Sequence, residues 1–184
     1  MANMQTLSEM SSRYPLTDKG PMKADGTPGH NYTEVYERYM SPLRNTPIKL
    51  LEIGFGGGDS LKMWSDYFDD VEVYCMDNNL GRISEYGYTH KDNIKIFFGD
   101  QSDRESIINA HREMGSPQFD IIIDDGSHLS HHISLTFDAL FEILKPGGVY
   151  FVEDTPPGMS FSHSQAKNVH YDGELVVIEK ESQV

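Results

Sequence analysis

Apolar residues along this chain switch between helical and strand spacing in a regular order. Tyr32, Val35, Tyr36 and Tyr39 recur at helical intervals and predict a first amphipathic helix, with Pro42 and Pro47 bracketing the turn that follows it. Residues 49–53 then read as an apolar strand, followed by a glycine turn and a short helix through Leu61, Met63 and Trp64. A second strand over 71–76 ends at Asp77, and a third over 94–98 ends at Gly99-Asp100. Ser102 and Glu105 have the spacing of a capping box and predict the start of a helix through Ile107, Ile108 and His111. A fourth strand over 119–123 ends at Asp124-Asp125. The face Ile133, Phe137, Leu140, Phe141 and Leu144 predicts a helix stopped by Pro146-Gly147-Gly148, and a fifth strand over 149–152 ends at Glu153-Asp154.

Strands that are apolar on both faces, alternating with helices, imply an α/β fold with a mostly parallel sheet covered on both sides. The order changes at the C-terminus. Residues 169–171 and 175–178 flank Asp172-Gly173, which predicts an antiparallel hairpin. Residues 1–30, rich in Gly, Pro, Ser and Lys, are expected to form an irregular arm, and residues 31–184 a single domain.

Composition narrows the classes. The chain has 184 residues, 38% of them hydrophobic, and its longest apolar runs are too short to span a bilayer. Its start lacks a basic segment and an apolar stretch, so no signal peptide is expected, and one cysteine, Cys75, excludes an internal disulfide. Both point to a reducing cytoplasm. A formal charge of −14, from 29 acids against 15 bases, disfavours nucleic acid as a partner. Most of these acids read as a solvated surface.

A minority stand at particular places. Each of the five parallel strands ends in an acid: Glu52, Asp77, Asp100, Asp124/Asp125 and Glu153/Asp154. In open α/β sheets the carboxyl ends of the strands are where ligands bind. One such acid means little, since Asp and Glu commonly cap helices; five in a row on one edge exceed what capping explains. The first turn, Gly54-Phe55-Gly56-Gly57-Gly58-Asp59, lets backbone approach a ligand. It carries Asp59 where a dinucleotide fingerprint wants its last glycine, and an acid there would repel a pyrophosphate. Asp77 is spaced to accept from ribose hydroxyls, so an adenosine ligand without phosphates is favoured.

Glu52-x-Gly54-x-Gly56-x-Gly58, the acid at 77 and Gly99-Asp100 together resemble the class I S-adenosylmethionine-dependent methyltransferases over about residues 48–154. That resemblance implies a Rossmann-like sheet and a cofactor site drawing on Glu52, Gly54, Gly56, Asp77, Asn78, Asp100, Gln101 and Asp124. Gly54 and Gly56 would lie under the methionine end, Asp77 at the ribose, and Asp100 with Gln101 at the adenine.

Asp125, Glu153 and Asp154 form a second group, on adjacent strands. Three oxygen ligands without cysteine suit a hard cation, Mg²⁺ before Ca²⁺ or Mn²⁺, the alternative being caps or solvent-facing acids. Asp124 and Asp125 should point to opposite sides of the sheet. His128 follows Asp125 by three residues, and its ordinary pKa of about 6.5 suits a general base. Residues 17–20, 30–36, 51–54, 123–128 and 151–155 resemble a narrower family, the metal-dependent sugar O-methyltransferases of macrolide tailoring, with cephalosporin-hydroxylase-like relatives. By that resemblance Asp125, Glu153 and Asp154 hold the metal, His128 is the base, and the acceptor is a small glycosylated or polyhydroxylated molecule. Self-association is left open. A catechol-type phenol O-methyltransferase, which resembles this one but has Lys at the base position, and a non-catalytic cofactor-binding remnant are the alternatives. Lys19, His30 and Tyr32 are expected to reach the site from the arm. One departure stands out: residues 155–167 are too short for the helix that relatives place between strands five and six, which leaves the acceptor pocket more open.

Overall fold

The structure is a computed structural model describing residues 5–182; residues 1–4 of the expected arm and 183–184 of the expected domain lie outside the described residues. In chain order the elements are α1 (Leu7–Ser11), α2 (Thr33–Met40), β1 (Ile48–Ile53), α3 (Asp59–Tyr67), β2 (Val71–Asp77), α4 (Gly81–Glu85), β3 (Ile94–Phe98), α5 (Arg104–Glu113), β4 (Phe119–Asp124), α6 (Ser130–Leu140), β5 (Leu144–Val152), β6 (Ala166–Asp172) and β7 (Leu175–Lys180). They build one seven-stranded sheet in the order β3-β2-β1-β4-β5-β7-β6. The first five strands pair in parallel, while β7 runs antiparallel to both β5 and β6. The chain leaves β1 in one direction and returns to its other side at β4. That reversal is the topological switch point, where such sheets hold ligands.

Neighbouring strand residues go to opposite faces, as the pleat requires. Leu50, Val73, Ile121 and Phe151 pack with Leu7, Tyr36 and Trp64 from α1, α2 and α3 in one core. Leu51, Tyr74, Ile122 and Val152 pack with Ile107 of α5 and Ile133 and Phe137 of α6 in the other. Two buried faces explain why these strands read as continuous apolar runs instead of alternating ones. Among the described residues no helix is long and apolar enough to cross a membrane.

Several local expectations change. The segment expected to be an irregular arm contains α1, started by a capping box between Thr6 and Glu9. The box expected at Ser102 and Glu105 does not form: Asp103 caps α5, accepting from the Glu105 N–H, and Ser102 donates to Asp100. Leu144, expected on a helix, opens β5, because α6 ends at Leu140 and the chain turns through a short 3-10 segment. Lys180 of β7 holds that turn. Its ammonium donates to the carbonyls of Phe141, Glu142 and Leu144 at 3.0, 3.0 and 2.9 Å. The carbonyls of the 3-10 segment and of the first β5 residue are thus tied to a lysine from the far strand, and Pro146-Gly147-Gly148 falls inside β5. The short segment after β5 covers the core of α5 and α6 with Phe161, edge-on against Phe137 with ring centres 5.3 Å apart, and with Met159 and His163 beside it.

Candidate active site

The glycine turn after β1 is dictated by how closely β4 approaches it. Gly54 has φ +98°, and a Cβ there would stand 2.1 Å from the carbonyl oxygen of Asp125. Its N–H donates to Met76 at 2.8 Å, and the Asp125 N–H donates to Ile53 at 3.0 Å. Three strand ends are thereby stitched together. Asp77 orders the two turns beside it, its Oδ2 accepting from the Phe55 N–H at 2.7 Å and its Oδ1 from the Asn79 N–H at 2.6 Å.

These turns enclose a cavity of about 470 Å³ at the switch point. Of the residues assigned to the cofactor, Gly54, Gly56, Asp77, Asn78, Asp100 and Gln101 line it, and Asp125 and His128 line the same cavity. Two of the expected cofactor residues do not. Glu52 is fully buried behind the turn, its Oε2 accepting from Ser60 and the Trp64 indole at 3.0 Å each. Asp124 is also buried and takes the Gln101 amide, Nε2 donating to its Oδ1 at 2.6 Å. The other end of that amide accepts from the Ser127 N–H at 2.9 Å. The pleat is the reason: Asp124 and Asp125, adjacent on the chain, face opposite sides, and only Asp125 looks into the cavity.

Burial pushes the Asp124 carboxyl up to about 7, against the pull of the Gln101 hydrogen bond. The sign follows directly. The native state holds this proton over a range where the unfolded chain, with an ordinary carboxyl near 3.8, has lost it. Stability contributed by Asp124 is therefore present at low pH and lost as pH rises from about 4 through 7. Urea titrations at pH 5 and pH 8 should show a difference that shrinks by roughly 1 kcal/mol or more in Asp124→Asn; an unchanged difference would count against the assignment.

Asp59 has a job that spacing did not suggest. Its Oδ2 accepts from the Leu16 N–H at 3.0 Å, and the Leu16 side chain packs against Gly57. The acid after the glycines thus clasps the N-terminal segment over the turn.

The second group gathers beside the glycine turn, where the ends of β4 and β5 adjoin. Ligand atoms of Asp125, His128 and Asp154 all lie within 4.8 Å of one another. His128 Nε2 stands 3.9 Å from Asp125 Oδ1 and 3.8 Å from Asp154 Oδ2. Four non-glycine residues among those described have positive φ; two of them, His128 (+57°) and Asp154 (+47°), are in this group, and a third, Asn31 (+58°), lies between His30 and Tyr32, which reach Asp154. Strain of this kind gathers where geometry is needed for function. Tyr32 donates to Asp154 Oδ1 at 2.7 Å, and His30 Nδ1 lies 3.4 Å from the same atom.

Glu153, expected beside them as a ligand, is not in that converging trio. Its Oε1 accepts from Lys19 at 2.7 Å and from the Tyr36 hydroxyl. Both bonds fall on one oxygen, so Oε2 takes part in neither. Lys19 also contacts Asp125 Oδ2 and approaches Glu52 Oε1 to 3.4 Å. Burial works to lower its pKa, but the attraction of Asp125, Glu153 and Glu52 outweighs this and holds the ammonium well above its usual value. Lys19, His30 and Tyr32 therefore do reach the site. Tyr36 was legible only as one more apolar position in a helical stripe; nothing in the spacing marks its hydroxyl as aimed at Glu153.

Comparison with known proteins follows the same lines. No protein-family model matches the chain. It is 37% identical over 155 residues to mycinamicin VI 2''-O-methyltransferase of Micromonospora griseorubida, covering 80% of this chain and 35% of that protein. It is 34% identical over 155 residues to demethylmacrocin O-methyltransferase of Streptomyces fradiae, covering 80% and 36%. The chain is a homologue of the class I sugar O-methyltransferases. A tetracenomycin rhamnosyl 2'-O-methyltransferase of Streptomyces olivaceus shares 38% over 132 residues, 68% of this chain and 33% of that one. The chain thus spans about a third of the length of the family members it matches. The structure of the family's MycE methyltransferase, from the mycinamycin pathway and in complex with Mg, SAH and mycinamycin VI, superposes with TM-score 0.78 at 28% identity. It covers 98% of this chain and 55% of that one. The sheet described above, parallel with a C-terminal antiparallel hairpin, lies within the 98% of this chain that superposes on that structure.

Proposed function

We propose that this chain is an S-adenosylmethionine-dependent O-methyltransferase that uses a divalent cation, Mg²⁺ first, to methylate a sugar hydroxyl of a natural product. The observation that carries this reading is a single cavity lined both by the glycine turn with Asp77 and Asp100 and by Asp125 with His128. Relatives acting on glycosylated antibiotics, and a structural neighbour holding Mg and SAH, support it.

The donor set fits a hard cation. Asp125 and Asp154 present carboxylate oxygens within reach of one centre, and Glu153 Oε2 is not used by Lys19 or Tyr36. All are oxygen donors, as Mg²⁺ prefers. A bound cation would supply acidity to a coordinated hydroxyl and fix two neighbouring hydroxyls in place. In this reading His128 Nε2, which faces Asp125 and Asp154, would take the proton of the acceptor hydroxyl as its oxygen bonds to the methyl carbon and the methyl carbon–sulfur bond breaks, leaving S-adenosylhomocysteine. Gly54 and Gly56 admit the methionine end of the cofactor. Asp77 and Asp100 face the cavity for its ribose and adenine, and Gln101, fixed at both ends of its amide, closes the floor between the two sets.

Calorimetry on the whole chain should show S-adenosylhomocysteine binding and none of NAD. With a rhamnosylated or deoxysugar acceptor, product should form with Mg²⁺ and disappear with EDTA, and Asp125→Asn should lower turnover by at least about 100-fold. Activity that survives both EDTA and Asp125→Asn removes the cation from the mechanism. Cofactor and cation binding without turnover of any hydroxylated acceptor would instead favour a non-catalytic binding protein.

A further inference from the structure

Lys19 is 1% exposed and comes from a segment outside the sheet, yet its Nζ sits among three carboxylates. Its backbone is pinned on all sides. The Lys19 carbonyl accepts from the Thr33 N–H at 3.1 Å, the Asp18 carbonyl from His30 at 2.9 Å, and the Gly20 carbonyl from Asn31 at 3.0 Å. A Cβ on Gly29 would stand 2.2 Å from the Gly20 oxygen, so the two segments touch backbone to backbone. Lys19 therefore cannot swing out without undoing the entry to α2. Two of its carboxylates, Asp125 and Glu153, are those the proposed function gives to a divalent ion. The third, Glu52, is buried with no hydrogen bond on the oxygen facing Lys19.

We propose that Lys19 is a resident cation of this acid cluster, a positioning residue that orients Asp125 and Glu153 and competes with the divalent ion for their charge. This inference rests on the reading of Asp125 and its neighbours as a cation site. A fixed ammonium beside a divalent ion repels it, so Lys19 lowers the affinity of the site and keeps its ion exchangeable. The same ammonium lets buried carboxylates stay assembled whether or not that ion is bound. A lysine that merely held the fold together would act with the opposite sign: its loss would loosen the carboxylates and weaken ion binding.

Lys19→Met keeps the length of the side chain and removes its charge. Mn²⁺ titrations followed by electron paramagnetic resonance should show the variant binding about tenfold more tightly than the native chain. Its melting temperature should fall by about 10 °C in EDTA and recover by at least half with saturating Mn²⁺, while the native chain changes less. Mn²⁺ binding that is unchanged or weaker in Lys19→Met overturns the inference and leaves the cation site standing. No Mn²⁺ binding by either protein overturns the cation site and the inference with it. If Lys19→Met does not fold, Lys19→Met/Glu52→Gln, which removes a carboxylate with the ammonium, is compared with Glu52→Gln alone and must show the same tightening.

Discussion

His128→Ala is expected to lower turnover about 1,000-fold and to leave S-adenosylhomocysteine affinity within a factor of about two. The separation of the two effects follows from where His128 sits. It lines the cavity from the β4 side, while the residues placed for the cofactor are carried by β1, β2 and β3 and by Gln101. The turn that holds His128 is fixed without it. The Ser127 N–H donates to Gln101, and Ser127 Oγ pairs with His132 Nδ1 at 2.7 Å. The imidazole itself is partly exposed and makes no hydrogen bond among the described residues, standing 3.8 and 3.9 Å from Asp154 and Asp125. It is thus free to meet a hydroxyl, as a base must be. Because its φ is +57°, His128→Asn is the better backbone control, Asn being tolerant of that conformation. Both variants should be equally inactive. Retention of more than a tenth of native turnover in either would remove His128 from the role of base and return the phenol-type reading, which needs a different one.

How much of this could be read from the chain depends on which contacts are local. Strand positions were legible because burial on both faces leaves long apolar runs, and the acids ending them were legible because each closes such a run. The partition of those acids was only partly so. Asp124 and Asp125 could be assigned to opposite sides by the pleat alone, but that Asp124 grips Gln101 depends on a contact 23 residues away in sequence. Glu52 reads as a cofactor residue from its place before the glycines; its true neighbours, Trp64 and Lys19, approach from α3 and from the N-terminal segment. The capping of α5 was misplaced by one residue because Ser102 and Asp103 both suit the position, and the choice was made by Asp100 engaging Ser102. Long-range clasps of this kind carry no periodic signal. Most of them join the two acid sets to each other or to residues before β1.

Gly54→Ala should therefore damage both sets at once. Its Cβ would overlap the Asp125 carbonyl, 2.1 Å from the oxygen and 2.9 Å from the carbon, and would press on the Gly126 Cα at 3.3 Å. The neighbour is backbone and cannot rotate away. Relief requires the end of β4 to move off β1, which breaks the Asp125 N–H bond to Ile53 and carries Asp125 and His128 with it. The moving segment also carries Gly126 and Ser127, the latter bonded through its N–H to the Gln101 side chain. The same displacement opens the Gln101 clasp on the cofactor side. To this is added the cost of an alanine at φ +98°. The expected outcome is a stability loss of about 3 kcal/mol or more, at least a 100-fold loss of S-adenosylhomocysteine affinity and a parallel loss of Mn²⁺ binding. Gly87→Ala separates strain from contact: its φ of +59° is also left-handed, but a Cβ there meets nothing within 4 Å. That variant should lose only about 1–2 kcal/mol and bind both ligands normally. If Gly54→Ala loses the cofactor but keeps Mn²⁺ affinity, the two sites are not joined through the β1–β4 contact and act as neighbours in one cavity without a shared support.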